Sequence, residues 1–147
     1  MKGRRIVIPD KYEVKIEPFE IDENTLRDSE VLLRTCYTLI SPGTELAIYT
    51  ALDPEVYRTD GWCRYPFTPG YISVGKAIKV GENVQNIKEG DMVFSYTNHA
   101  SIAITNPEKS ICLKIPKSLD EKSVLFTRIA TIAMTALRVS SGELGDN

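Results

Sequence analysis

The clearest periodicity in the chain lies over residues 31–39, where Val31, Leu33, Thr35, Tyr37 and Leu39 occupy every second position and Arg34 and Thr38 fall between them. A period of two sends alternate side chains to opposite faces of a strand, so one face here is predicted to be buried and the other wet. Runs rich in Val, Ile, Tyr and Thr, bounded by turn residues, predict further strands over 5–9, 13–19, 73–80, 92–95, 101–105 and 111–115. Ile72 and Val74 are in phase, Gly75 intervenes, and Ile78 with Val80 resumes, a break that predicts a bulge or a close backbone approach at Gly75. Gly81-Glu82-Asn83 and Lys88-Glu89-Gly90-Asp91 then reverse the chain. Many short strands at this spacing imply a mainly β fold, a partly open barrel or a sandwich.

The pattern changes after Pro116. Ser118-Leu119-Asp120-Glu121 has the form of a capping box and predicts a helix starting just before Leu119. Ile129, Ala130, Ala133, Met134 and Leu137 follow helical spacing, a stripe expected to pack as core, and Gly142 is a natural stop. The chain therefore divides into a β unit over 1–116 and a helical segment over 117–147. The closing Gly142-Glu143-Leu144-Gly145-Asp146 ends a helix and opens a turn, as though a strand were to follow.

Composition narrows the function classes. A chain of 147 residues with 42% hydrophobic content supports one core. Eighteen basic against twenty acidic residues, a net charge of -2, offer no basic face for nucleic acid. No apolar run approaches the roughly 20 residues that span a bilayer, and the start has no signal-peptide pattern, so a cytoplasmic location is expected. The three cysteines, Cys36, Cys63 and Cys112, form no C-x-x-C pair and read as reduced thiols, with Cys36 expected in the core. His99 is the single histidine, which excludes a two-histidine zinc cluster. Its setting, Tyr96-Thr97-Asn98-His99-Ala100, reads as a polar turn, and the side chain is expected to be exposed.

Glu30-Val31-Leu32-Leu33-Arg34, Ser41-Pro42-Gly43-Thr44-Glu45-Leu46, Pro69-Gly70-Tyr71, Val74-Gly75, Val80-Gly81 and Gly90-Asp91-Met92-Val93 occur in one order along essentially the whole chain. In this order they resemble the catalytic, GroES-like domain of the medium-chain dehydrogenases and reductases, the family that includes the zinc alcohol dehydrogenases. The resemblance implies a GroES-like, partly open β-barrel with short helices and a C-terminal helix leading towards a Rossmann domain, whose glycine fingerprint is absent from these 147 residues. It further implies NAD or NADP, bound mainly by that missing domain, and hydride transfer to or from a small carbonyl, alcohol or enone substrate. The chain alone is expected to be inactive, with the surface that would face its own Rossmann domain, including the apolar helix over 129–137, partly exposed or buried by self-association.

The resemblance also locates candidate site residues. In the zinc members the three ligand positions fall here on Pro42 or Ser41, on Tyr71 and near Thr131, none of which brings a thiolate or an imidazole. The four-cysteine structural zinc lobe is missing as well, so no zinc is expected. Thr44 resembles the family's proton-relay Ser/Thr. Tyr71 stands where a metal ligand would point, and it either donates a proton or hydrogen bond to the substrate oxygen or merely fills the vacated position. Thr135 resembles a residue near the nicotinamide, or it bonds back to its own helical turn. Glu45 replaces a supporting aspartate, or is an exposed turn residue. Tyr57, Trp62 and Tyr65 either line an apolar pocket or pack their loop down. Two rival readings are a zinc-dependent alcohol or polyol dehydrogenase domain and a stand-alone GroES-like binding module.

Overall fold

A computed structural model of the chain describes residues 1–140; Gly142 and the closing turn lie outside the described residues. Strands β1 (Lys2–Val7) and β2 (Lys15–Glu20) form an antiparallel hairpin. A second antiparallel sheet contains β3 (Val31–Thr38), β4 (Ser73–Val80), β5 (Met92–Ser95), β6 (Ile102–Thr105) and β7 (Cys112–Lys114) in the order β6-β3-β4-β5-β7. All seven predicted strands are present with ends shifted by at most a few residues, and β6 and β7 are left as the open edges of the larger sheet. The segment 99–101 joins the two sheets. On one side Ile6 N–H donates to the His99 carbonyl and Ser101 N–H to that of Arg4; on the other Thr35 N–H donates to Ser101.

The β3–β4 ladder contains two irregularities, one between Leu32 and Leu33 and one between Thr35 and Tyr37. The second leaves Cys36 as an extra residue opposite Gly75 and Val74. Gly75 is needed there because a Cβ would lie 2.7 Å from the Arg34 carbonyl oxygen. The expected close approach at Gly75 is thus found, and the looped-out residue is in the partner strand.

This bulge corrects two expectations for residues 31–39. Cys36 is exposed rather than in the core, and Tyr37 turns outward, because an inserted residue resets the alternation. The first half of β3 is covered on both faces: Val31, Leu32 and Leu33 are all fully buried. Val31 and Leu33 pack with Ala77, Ile87, Val93 and Cys112. Burial of such side chains stabilises the fold by about 1.5–3 kcal/mol each.

Helix α1 (Pro42–Tyr49) was not foreseen from the apolar pattern. Its start is nevertheless written in the chain, since Ser41 takes the N-cap position and Pro42 stands at the first helical residue. Beyond β7 the helix α2 (Glu121–Val124) begins two residues later than the capping-box reading placed it. A turn from Leu119 N–H to the Pro116 carbonyl occupies the expected start, and the Asp120 carboxylate caps instead, accepting from Ser123 N–H at 2.8 Å. Helix α3 (Thr127–Val139) follows. Its stripe is not core: Ile129 packs on the sheet cluster of Ile72, Val74, Phe94, Ile115 and Leu125, but Ile132, Met134 and Leu137 are exposed.

Candidate active site

Three segments distant in sequence meet around one buried carboxylate–imidazole hydrogen bond. The first is the opening turn of α1, which carries Thr44 and Glu45. Glu45 is 8% exposed, so its carboxylate needs partners. Oε1 accepts the Ser41 backbone N–H at 3.0 Å, and Oε2 lies 2.9 Å from His99 Nε2. The reading of Glu45 as an exposed turn residue is therefore wrong.

The second segment is the loop that carries His99, and here the sequence expectation is overturned. His99 is 4% exposed, not a solvent-facing loop residue. A polar turn enters the interior because most of its polar groups find partners on other segments. The His99 backbone N–H donates to the Pro69 carbonyl at 2.9 Å, and Asn98 Nδ2 donates to the carbonyls of Thr68 at 2.8 Å and Gly70 at 3.1 Å. His99 Nδ1 is the exception: it is buried with no hydrogen-bond partner among the described residues.

The third segment is Pro69-Gly70-Tyr71. Gly70 has φ +101, and a Cβ there would stand 2.4 Å from the His99 backbone nitrogen and 2.8 Å from its ring carbon Cγ. Only a residue without a side chain fits between the turn and the imidazole. Tyr71 follows directly, with its ring half-buried against the cluster of Ile72, Val74, Phe94, Ile115 and Leu125. The hydroxyls of Tyr71 and Thr44 have no hydrogen-bond partner among the described residues, which leaves both available to a ligand.

Thr135 does not join these segments. It is exposed on α3, and its hydroxyl donates to the Thr131 carbonyl at 2.8 Å, while Thr131 donates to Thr127 at 2.7 Å. The aromatic loop is divided. Tyr65 packs with the cluster of Ile8, Ile48, Val56 and Cys63 and donates its hydroxyl to the Ile48 carbonyl; Tyr57 and Trp62 remain exposed. Burial pushes the Tyr65 phenol above its ordinary range.

The donor set does not suit zinc. Among the described residues no group of three or more His, Cys, Asp or Glu side chains is placed to hold a metal ion. The sole imidazole is bonded to Glu45, while Cys63 and Cys112 are buried in separate apolar clusters. The Glu45–His99 pair, which the sequence reading did not bring together, joins residues 54 apart and has no local pattern to signal it.

Comparison with known proteins places this geometry in a fold. No family model matches the chain. An 81-residue stretch is 33% identical to a highly reducing polyketide synthase of Alternaria alternata, covering 51% of this chain and 3% of that protein. The structure is similar to 2R,3R-butanediol dehydrogenase from Bacillus subtilis, with a TM-score of 0.78 and 19% identity over 99% of this chain and 49% of that one. It is also similar to a mutant enoyl thioester reductase from Candida tropicalis, with a TM-score of 0.61 and 22% identity over 79% of this chain and 34% of the other. The chain thus spans less than half the length of either enzyme. Its fold is shared with these two enzymes, and the order of its turn motifs resembles that of the medium-chain dehydrogenases and reductases.

Proposed function

We propose that this chain is the substrate-binding part of an NAD(P)-dependent oxidoreductase of the alcohol dehydrogenase-like type that works without zinc. The observation that carries the reading is the meeting of α1 and the Pro69-Gly70-Tyr71 turn at the Glu45–His99 pair, within a fold shared with dehydrogenases and enoyl reductases.

The nicotinamide would supply or accept the hydride. The described residues include no glycine-rich phosphate cradle, so this chain meets only the nicotinamide end, where Thr135 is its candidate contact. A further Rossmann domain would hold the dinucleotide and cover the apolar side of α3, with self-association as the other way to cover it. The reacting substrate oxygen needs a donor in place of a Lewis acid. Tyr71 gives its phenolic proton or a hydrogen bond to that oxygen, and Thr44 passes a proton onward. No helix among the described residues is long and apolar enough to cross a membrane; a cytoplasmic setting fits this reading.

The test uses the complete enzyme that contains this chain. Incubation with NADH or NADPH and a panel of aldehydes, ketones and enones, after exhaustive treatment with a zinc chelator, should show undiminished turnover on at least one class. Activity that vanishes on chelation and returns with zinc would establish the zinc-dependent alternative instead.

A further inference from the structure

The Glu45–His99 pair connects the two segments that bear the candidate hydroxyls. Thr44 precedes Glu45 on the first turn of α1, and Tyr71 follows Gly70, whose backbone lies against the His99 ring. The connection is continuous: Ser41 N–H to Glu45 Oε1, Glu45 Oε2 to His99 Nε2, then His99 N–H to the Pro69 carbonyl. Asn98 fixes the same turn through the carbonyls of Thr68 and Gly70, and β1 holds the other side of His99 through Ile6 N–H.

The ring's orientation follows from its two nitrogens. Nε2 faces a carboxylate oxygen and must carry a proton to bond it, whereas Nδ1 is buried without a partner. A bare lone pair in that place costs less than a stranded N–H.

We propose that Glu45 and His99 are positioning residues: Glu45 holds the imidazole with its proton on Nε2, and the locked ring sets the placement of Tyr71 relative to Thr44. This rests on the assignment of those two hydroxyls above. A misplacement of about 1 Å at such groups is enough to cost about a hundredfold in rate.

Because His99 is the only histidine, its ring gives an uncrowded signal in a long-range nitrogen–proton correlation spectrum of the chain. The expected spectrum shows one tautomer, protonated at Nε2. Glu45→Ala should mix the tautomers and shift the amide resonances of Gly70 and Tyr71, while Glu45→Gln, whose single oxygen can meet either the Ser41 N–H or His99 Nε2–H but not both, should change both by an intermediate amount. In the complete enzyme Glu45→Ala should lower kcat by about 10- to 100-fold with KM nearly constant, and Glu45→Gln should lower it by less. A mixed or Nδ1-protonated tautomer in the parent chain, unmoved Gly70 and Tyr71 amides in both variants, or amide shifts without a fall in kcat would each overturn the proposal. Should Glu45→Ala fail to fold, the parent tautomer and Glu45→Gln decide it. If Tyr71→Phe is silent although the tautomer and amide results hold, the hydroxyl assignment has failed, not the connection through His99.

Discussion

Gly70 and His99 are in such close approach that a methyl group on Gly70 would stand 2.4 Å from the His99 backbone nitrogen. The backbone of Gly70 is also at φ +101, where a side chain is strained whatever the space. Gly70→Ala should therefore destabilise the chain by about 2–4 kcal/mol, combining left-handed backbone strain with overpacking. Chemical denaturation of the two proteins, with equal slopes, checks this; a change below about 0.5 kcal/mol would show that the turn can move away from the imidazole.

Tyr71 separates ring from hydroxyl. The ring packs against the Ile72–Phe94–Leu125 cluster, and the hydroxyl is unpartnered among the described residues. Tyr71→Phe should leave the melting temperature nearly unchanged and reduce turnover of the complete enzyme by about 10²- to 10⁴-fold, the range for losing a proton donor. Unchanged turnover would mean that the ring only fills space.

The turn at Gly90-Asp91 carries a pH signature. Lys114 Nζ lies 2.8 Å from Asp91 Oδ1, and the Lys88 backbone N–H donates to Oδ2 at 2.9 Å. The hydrogen bond from Lys114, and after it that from Lys88, hold the Asp91 carboxyl below the usual carboxylate range. A lowered folded value stabilises the native state above the unfolded value of about 3.9, and that contribution is lost as the pH falls through the folded value. Asp91→Asn should thus melt below the parent at pH 7, with the gap closing as the pH falls below the unfolded carboxylate value. Parallel melting curves across that window would exclude this ion pair as a source of acid sensitivity.

Thiol reactivity should divide the cysteines one against two. Cys36 is exposed at the β3 bulge, whereas Cys63 and Cys112 are buried. Burial pushes the Cys112 thiol up to about 11, and burial with the nearby Asp53 carboxylate raises Cys63. Thiolate is the reactive form. A colorimetric disulfide reagent at pH 8 should consume one thiol rapidly in the native chain and the remaining two only in denaturant, and Cys36→Ser should abolish the fast phase.

The strands were legible because each is a local pattern: β4 and β5 begin and end where alternation and turn residues place them. Gly75 was legible for the same reason, as a break in phase. Helix α1 was not, since Ser41-Pro42 marks a start but its eight residues bury only Glu45 and Ile48, too short a face to read as a stripe. The stripe on α3 is helical as its spacing predicts, but the spacing alone suggested core, and the partial exposure was expected only from the resemblance to a two-domain family, because periodicity reports that a face is apolar without reporting what lies against it.

The sequence by itself determined the strand segments, the turns between them and the helical tail, all of which follow from residue type and short-range spacing. Only the tertiary structure decided that Glu45 and His99 are buried together, that Cys36 is pushed outward, and that Gly70 is pinned against a ring. Those outcomes depend on which segments approach from 28 to 54 residues away, and a polar side chain is accepted into the interior only when such an approach delivers its partner.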